Sequence, residues 1–252
     1  MEGHIHSTLN NGIATITFFH PQSNSMPGTL LRKLAEEISN AGNNQEAKVI
    51  ILQSEGEKAF CAGASFDELI SINDLETGKT FFSGFAMVIN AIRKAPKFVI
   101  ARVQGKAVGG GVGIACAADY ALAVDTASVK LSELAVGIGP FVVGPAVERK
   151  LGVAAFSALA INATEWQPAE WAKEKGMYTS VFTSVAELDK EINRLSETLA
   201  ASNPEAMKAL KKIIWTGTDN WDQLLLERAE ISGKLVLSNF TKKAIEKFKS
   251  KG

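Results

Sequence analysis

The sequence predicts an α/β protein with a helical C-terminal part, on three observations. Short β-rich runs alternate with segments of helical period as far as Gly144. Two of those runs, "KVIILQS" (48–54) and "KFVIARVQG" (97–105), are continuously apolar at their centres, as in strands covered on both faces. Beyond Gly144 the helical period dominates. With 252 residues, 46% of them hydrophobic, the chain can bury one large core.

The elements follow in order. "GIATITFF" (12–19) is β-branched and aromatic and reads as a strand, which "HPQSNSMPG" breaks. "TLLRKLAEEISNA" places Leu30, Leu31, Leu34 and Ile38 on one helical face. The strand 48–54 follows. "EKAFCAGASFDELISI" opens as a loop and becomes helical, and "TFFSGFAMVINAIRKAP" is a helix that stops before Pro96. The strand 97–105 leads into "VGGGVGIACAADYALA" (108–123). There three consecutive glycines and then Gly113 interrupt an apolar helix, although each costs about 1 kcal/mol against Ala. "ADYALAVDTASVKLSE" holds two further strand-like pieces, and five helical stretches complete the chain.

Lys plus Arg and Asp plus Glu are equal at 27 each, which argues against a polyanion-binding or polybasic membrane role. The polar start "MEGHIHSTLNNG" lacks the apolar stretch of a signal peptide, and no apolar run has membrane-spanning length. Cys61 and Cys116 lie in apolar-small surroundings without metal spacing, so reduced thiols in a cytoplasmic protein are expected. His4, His6 and His20 are the only histidines, which argues against a zinc site or a Ser-His triad.

"FCAGASF" (60–66), "VQGKAVGGGVGIACAADYALA" (103–123) and "LSELAVGIGP" (131–140), in that order and spacing, resemble the crotonase, or enoyl-CoA hydratase/isomerase, superfamily. "INATEWQPAEWAKEKGMYTSVF" (161–182) is similar to the segment that follows the core in that family, so the resemblance spans nearly the whole chain. It implies a spiral of ββα repeats, with a crotonase-fold core over 1–190 and a helical trimerisation region over 191–252. It also implies an acyl-CoA substrate, no cofactor beyond the coenzyme A of that substrate, and a homotrimer or hexamer. Two backbone N–H groups, of Ala64 and Gly110, would hold the thioester oxygen as negative charge develops on it. The small Ala64 and the glycines at 109–111 would let the thioester approach the main chain closely, with Ala62, Gly63, Ser65 and Gly109 as substrate contacts. The helix after the glycines would add its N-terminal dipole.

Hydratases of this family carry two glutamates, one two residues after the third glycine and one about twenty residues on. Here the first position is Gly113 and the second is Glu133. Two carboxylates suit the activation of water, whereas one suits a 1,3-proton shift in which a single base takes a proton from one carbon and returns it to another. Gly113 either leaves space for a bulky acyl tail or a substrate carboxylate, or answers helix crowding. Glu133 sits among Leu131, Leu134, Ala135 and Val136, which predicts partial burial and a raised pKa.

Family members often carry an acid directly after the oxyanion-hole alanine; here Ser65 stands there, with Asp67 and Glu68 beyond it. Phe141 and Val142 in "GIGPFVVGP" are expected to narrow the acyl pocket. Asp119 reads as structural. The resemblance places coenzyme A along "SNSMP" (23–27), including Ser25, and the "CAGAS" loop, largely through backbone groups, with Phe248 and Lys251 as C-terminal contacts. The favoured activity is enoyl-CoA isomerisation through Glu133. Enoyl-CoA hydration, on a branched or dicarboxylic thioester such as methylglutaconyl-CoA, is the alternative, followed by decarboxylation and by a non-catalytic acyl-CoA-binding role. Asp67, Glu68 and Glu165 are candidates for a replacement second acid.

Overall fold

The computed structural model of the chain describes residues 3–249. Two strands, β1 (His4–Asn10) and β2 (Ile13–Phe19), form an antiparallel hairpin through Asn11 and Gly12, both at positive φ. The sequence reading missed β1 because it is an edge strand with mostly exposed, polar residues. Helix α1 (Gly28–Asn43) buries Leu30, Leu31, Leu34 and Ile38, the face expected from its period.

Three strand–strand–helix turns follow. β3 (Val49–Ser54) and β4 (Ala59–Cys61) lead into α2 (Phe66–Ser71) and α3 (Leu75–Lys94). β5 (Val99–Val103) and β6 (Lys106–Val108) lead into α4 (Gly110–Ala117). β7 (Tyr120–Val124) and β8 (Ser128–Lys130) lead into a 3-10 turn (Leu134–Val136) and α5 (Gly144–Ile161), which Gly152 kinks. The first strand of each pair joins one sheet and the second joins another. β9 (Gln167–Pro168) and β10 (Ser180–Phe182), too short to show a period, complete them. The sheet orders are β1-β2-β3-β5-β7-β10 and β4-β6-β8-β9. This is the expected spiral of ββα repeats.

Helix α6 (Ala169–Glu174) separates β9 from β10, and α7 (Val185–Ala200), α8 (Pro204–Ile214), α9 (Trp221–Val236) and α10 (Asn239–Lys249) close the chain. The expected boundary at residue 190 falls inside α7, which packs on β2, β3, β5, β7 and β10. Helix α9 packs along α3, where Gly78 and Gly233 meet.

Asp119, after α4, is structural, as expected. Its carboxylate accepts from the Val99 amide at 2.8 Å and from Trp215 Nε1 at 2.7 Å, and pairs with Lys211 Nζ at 2.8 Å. Both ionic partners are almost wholly buried. Lys150 Nζ caps the end of α4 by donating to the carbonyls of Ala118 and Asp119. No helix among the described residues is long and apolar enough to cross a membrane.

Candidate active site

The loops after β4, β6 and β8 meet in one pocket. The first, "CAGAS", is stitched to the "SNSMP" segment. The Ala62 amide donates to the Ser23 carbonyl, Met26 to Gly63, and Ser65 to Met26. Asn24 secures that segment from below, with its side-chain amide donating to the carbonyls of Glu55 and Ala59. The second loop lies directly against the first. A Cβ on Gly63 would stand 2.9 Å from the Val108 carbonyl oxygen and 3.6 Å from the Gly110 nitrogen. In the third loop, the carbonyl of Lys130 accepts from the Gly109 amide at 2.8 Å, which ties Glu133's segment to the glycines.

Ala62, Gly63, Ala64, Gly109, Gly110 and Glu133 all line the pocket. Among the described residues the amides of Ala64 and Gly110 donate to no protein group. Gly110 opens α4, so its N–H is one of the unpaired donors of a helix N-terminus and carries the positive end of the dipole.

The three glycines turn out to have separate causes. Gly109 has φ +50°, and a Cβ there would lie 2.9 Å from Glu133 Oε1. At Gly110 a Cβ would run into the Phe85 ring, 2.5 Å from Cζ. At Gly111 it would run into Cys61, 2.7 Å from its Cβ. Close approach by a ligand is therefore not what keeps a side chain off Gly110 and Gly111; contact with α3 and β4 is.

Glu133 begins the 3-10 turn, and its carbonyl accepts from the Val136 and Ile138 amides. The residue is partly exposed to the pocket, but its Oε2 is enclosed and has no hydrogen-bond partner. Burial without a partner pushes the carboxyl pKa up to about 7. Among the described residues it is the only carboxylate lining the pocket. Asp67 and Glu68 are engaged elsewhere: Asp67 accepts from Gln22 Nε2 at 2.7 Å and Glu68 from the Gly28 amide at 2.7 Å. Glu165 likewise lies outside the pocket lining, so none of the three candidates lines the pocket beside Glu133.

Gly113 is not a pocket residue. The space beside it holds Val143, whose Cβ would stand 2.5 Å from a Cβ on Gly113. The expectation that this glycine makes room for substrate is thus corrected: helix crowding between α4 and α5 explains it. Val143 itself lines the pocket, together with Phe141 and Val142 as expected. Phe66, Leu69, Phe82 and Phe85 form much of the rest of the wall. The aromatic residues of α3 lay within a visible helical period, but nothing in the sequence tied them to the glycine loop.

Other expected contacts fall away from the pocket. Ser25 is buried and its Oγ lies 3.0 Å from His20 Nδ1. Ser65 caps α2, its Oγ accepting from the Glu68 amide. Both side chains thus hold loop geometry, and neither residue lines the pocket. Phe248 lies in α10 with its side chain outside the described part, and Lys251 lies outside the described residues. Cys61 and Cys116 are buried and free, and burial pushes both thiols up to about 12.

A family model for enoyl-CoA hydratase/isomerase matches residues 8–252. The chain belongs to the enoyl-CoA hydratase/isomerase family. Within it, the carnitinyl-CoA dehydratase of Escherichia coli (strain K12) is 31% identical over 221 residues, which cover 87% of this chain and 83% of that one. An enoyl-CoA hydratase of Mycobacterium avium subsp. paratuberculosis K-10 has a solved structure that superposes with a TM-score of 0.85 at 25% identity, covering 98% of this chain and 96% of the other. An enoyl-CoA hydratase from Bacillus halodurans gives 0.89 at 22% identity, over 96% and 99%. These likenesses agree with the architecture of this enoyl-CoA hydratase/isomerase family member, an acyl-CoA enzyme.

Proposed function

We propose that the protein is an enoyl-CoA isomerase that moves a double bond by a proton shift through one carboxylate. The observation that carries this reading is Glu133, standing without a second acid in an apolar pocket beside two unused backbone amides. A 3-enoyl-CoA would seat its thioester oxygen against the N–H groups of Ala64 and Gly110. The Glu133 carboxylate takes a proton from C2, and the electron pair delocalises into the thioester as a dienolate. The two amides and the α4 dipole stabilise the oxygen's charge. The carboxylic acid so formed returns its proton to C4, and the double bond settles between C2 and C3. The proton leaves and re-enters through one residue, so no water takes part. A pKa about 7 suits a group that must both accept and donate near neutral pH. Coenzyme A enters as part of the substrate, and no other cofactor is needed.

A dehydratase reading has its own support in the 31% identity to carnitinyl-CoA dehydratase. There Glu133 would take the C2 proton of a 3-hydroxyacyl-CoA and deliver it to the departing hydroxyl. Ultraviolet absorbance of the conjugated enoyl thioester separates the two. The isomerase raises it with a 3-enoyl-CoA and leaves a 2-enoyl-CoA untouched. Loss of absorbance from a 2-enoyl-CoA in water would favour the hydratase–dehydratase reading. A trimeric assembly belongs to the same proposal: Val153, Ile161, Leu210 and Ile213 of α5 and α8 are more than half exposed and apolar. Light scattering of the purified protein tests it.

A further inference from the structure

Three polar side chains line an otherwise apolar pocket: Ser132, Glu133 and Ser232. Ser132 neighbours the base in sequence. Ser232 comes from a different part of the chain, helix α9, and is only 1% exposed. It reaches the pocket because α9 and α3 cross at two glycines: a Cβ on Gly78 would lie 2.9 Å from the Gly233 Cα, and one on Gly233 would lie 2.7 Å from the Lys79 nitrogen. A larger residue at either point would hold α9, and Ser232 with it, away from the pocket.

The Ser232 hydroxyl has no hydrogen-bond partner among the described residues. Other helical hydroxyls, those of Ser39, Ser83 and Thr198, donate to the carbonyl four residues earlier, at 2.6 to 2.8 Å. This is the usual outlet for such a group. The hydroxyl opens on the cavity without a protein partner, and a polar group on what the cavity receives would satisfy it.

Its place along α3 says where on the ligand that group lies. Phe85 abuts Gly110, beside the unused amides, while Gly78 abuts Gly233. Seven residues of helix, about 10 Å at ~1.5 Å per residue, separate Gly78 from Phe85 along α3. Ser232 therefore joins the wall on the side of Phe85 that faces the start of α3.

We propose that Ser232 is a specificity residue, which hydrogen-bonds an oxygen carried on the acyl chain beyond the reacting carbons. The preferred substrates are then enoyl-CoA thioesters with a hydroxylated or otherwise oxygenated tail rather than plain hydrocarbon ones. This rests on the reading of the pocket as an acyl-CoA site. One neutral hydrogen bond is gained or lost, so the discrimination is modest, on the order of tenfold.

The test measures binding, not turnover, by calorimetry. The ligands are saturated acyl-CoA thioesters of increasing length, each paired with a counterpart hydroxylated towards the chain end. The wild-type protein should bind one hydroxylated member roughly tenfold more tightly than its alkyl partner. In Ser232→Ala, with an unchanged melting temperature, that ratio should fall to about one. Thioesters that bind without any preference for the hydroxyl would overturn the inference and leave the acyl-CoA reading standing. A preference that persists in Ser232→Ala would overturn it too. Failure of every thioester and of free coenzyme A to bind would overturn the acyl-CoA reading itself, and the inference with it.

Discussion

Val143 stands where a side chain on Gly113 would go, so close that a Cβ on the glycine would lie 2.5 Å from the valine's own Cβ. One residue is thus the measure of the other. The absence of a carboxylate at position 113 is built into the packing of α4 on α5, with a branched aliphatic group filling the gap.

This contact predicts a coupled pair. Gly113→Ala alone overpacks the contact and should cost about 1–3 kcal/mol. Adding Val143→Ala removes the obstacle, so the double variant should be more stable than the sum of the single losses predicts, by on the order of 1 kcal/mol. Urea denaturation of the four proteins gives the coupling energy directly.

On the proposed isomerase reading, Glu133→Gln should lower kcat by at least roughly 10²-fold, while saturated acyl-CoA thioesters still bind. In the wild type the base must be ionised, so kcat/KM should rise with pH and level off above about 7. A variant with full activity would remove Glu133 from the mechanism.

The same group makes a stability prediction. Its pKa is about 7 in the folded protein against 4.5 for an ordinary glutamate, so the fold binds its proton more tightly than the unfolded chain. The stabilisation this linkage supplies is complete below about 4.5 and is lost as pH rises through about 7. Glu133→Gln, which cannot ionise, should therefore gain melting temperature relative to wild type as pH is raised across that interval.

Gly109→Ala places a methyl group 2.9 Å from Glu133 Oε1, at a backbone φ of +50°. The strain should cost about 1–3 kcal/mol of folding free energy. The displaced carboxylate should lower kcat, and the midpoint of the pH–rate profile should move as its enclosure changes. Melting curves and pH–rate profiles together separate the two effects.

Asp119→Ala leaves Lys211 buried without its counter-charge and the Trp215 and Val99 donors without an acceptor. A loss of about 3–5 kcal/mol in chemical denaturation is expected. Asp119 lies outside the pocket lining, so the residual folded protein should keep its KM.

Much of the fold was legible because its helices carry one clear apolar face and its central strands are continuous apolar runs. Leu30, Leu31, Leu34 and Ile38 announce α1, and Val49 to Leu52 announce β3. β1 was illegible because an exposed edge strand has no apolar pattern to repeat, and β9 and β10 because two or three residues hold no period. The site divides in the same way. Local motifs located Ala64, Gly110 and Glu133, whose loops the structure brings into one pocket. Phe85, Val143 and Ser232 join them only through helix crossings, and the filling of Gly113's space by Val143 is a fact of α4–α5 packing that no spacing along the chain could express.

The spiral has a consequence for the site. Ala64 follows β4 by three residues, Gly110 follows β6 by two, and Glu133 follows β8 by three. Each strand belongs to the same small sheet, and each comes from a successive turn of the chain. The three groups stand on consecutive landings of one staircase. In the proposed mechanism a change on one landing alters one component, anion holder or proton carrier, while the flights above and below keep their pitch. Chemistry in such a molecule can be rewritten a step at a time.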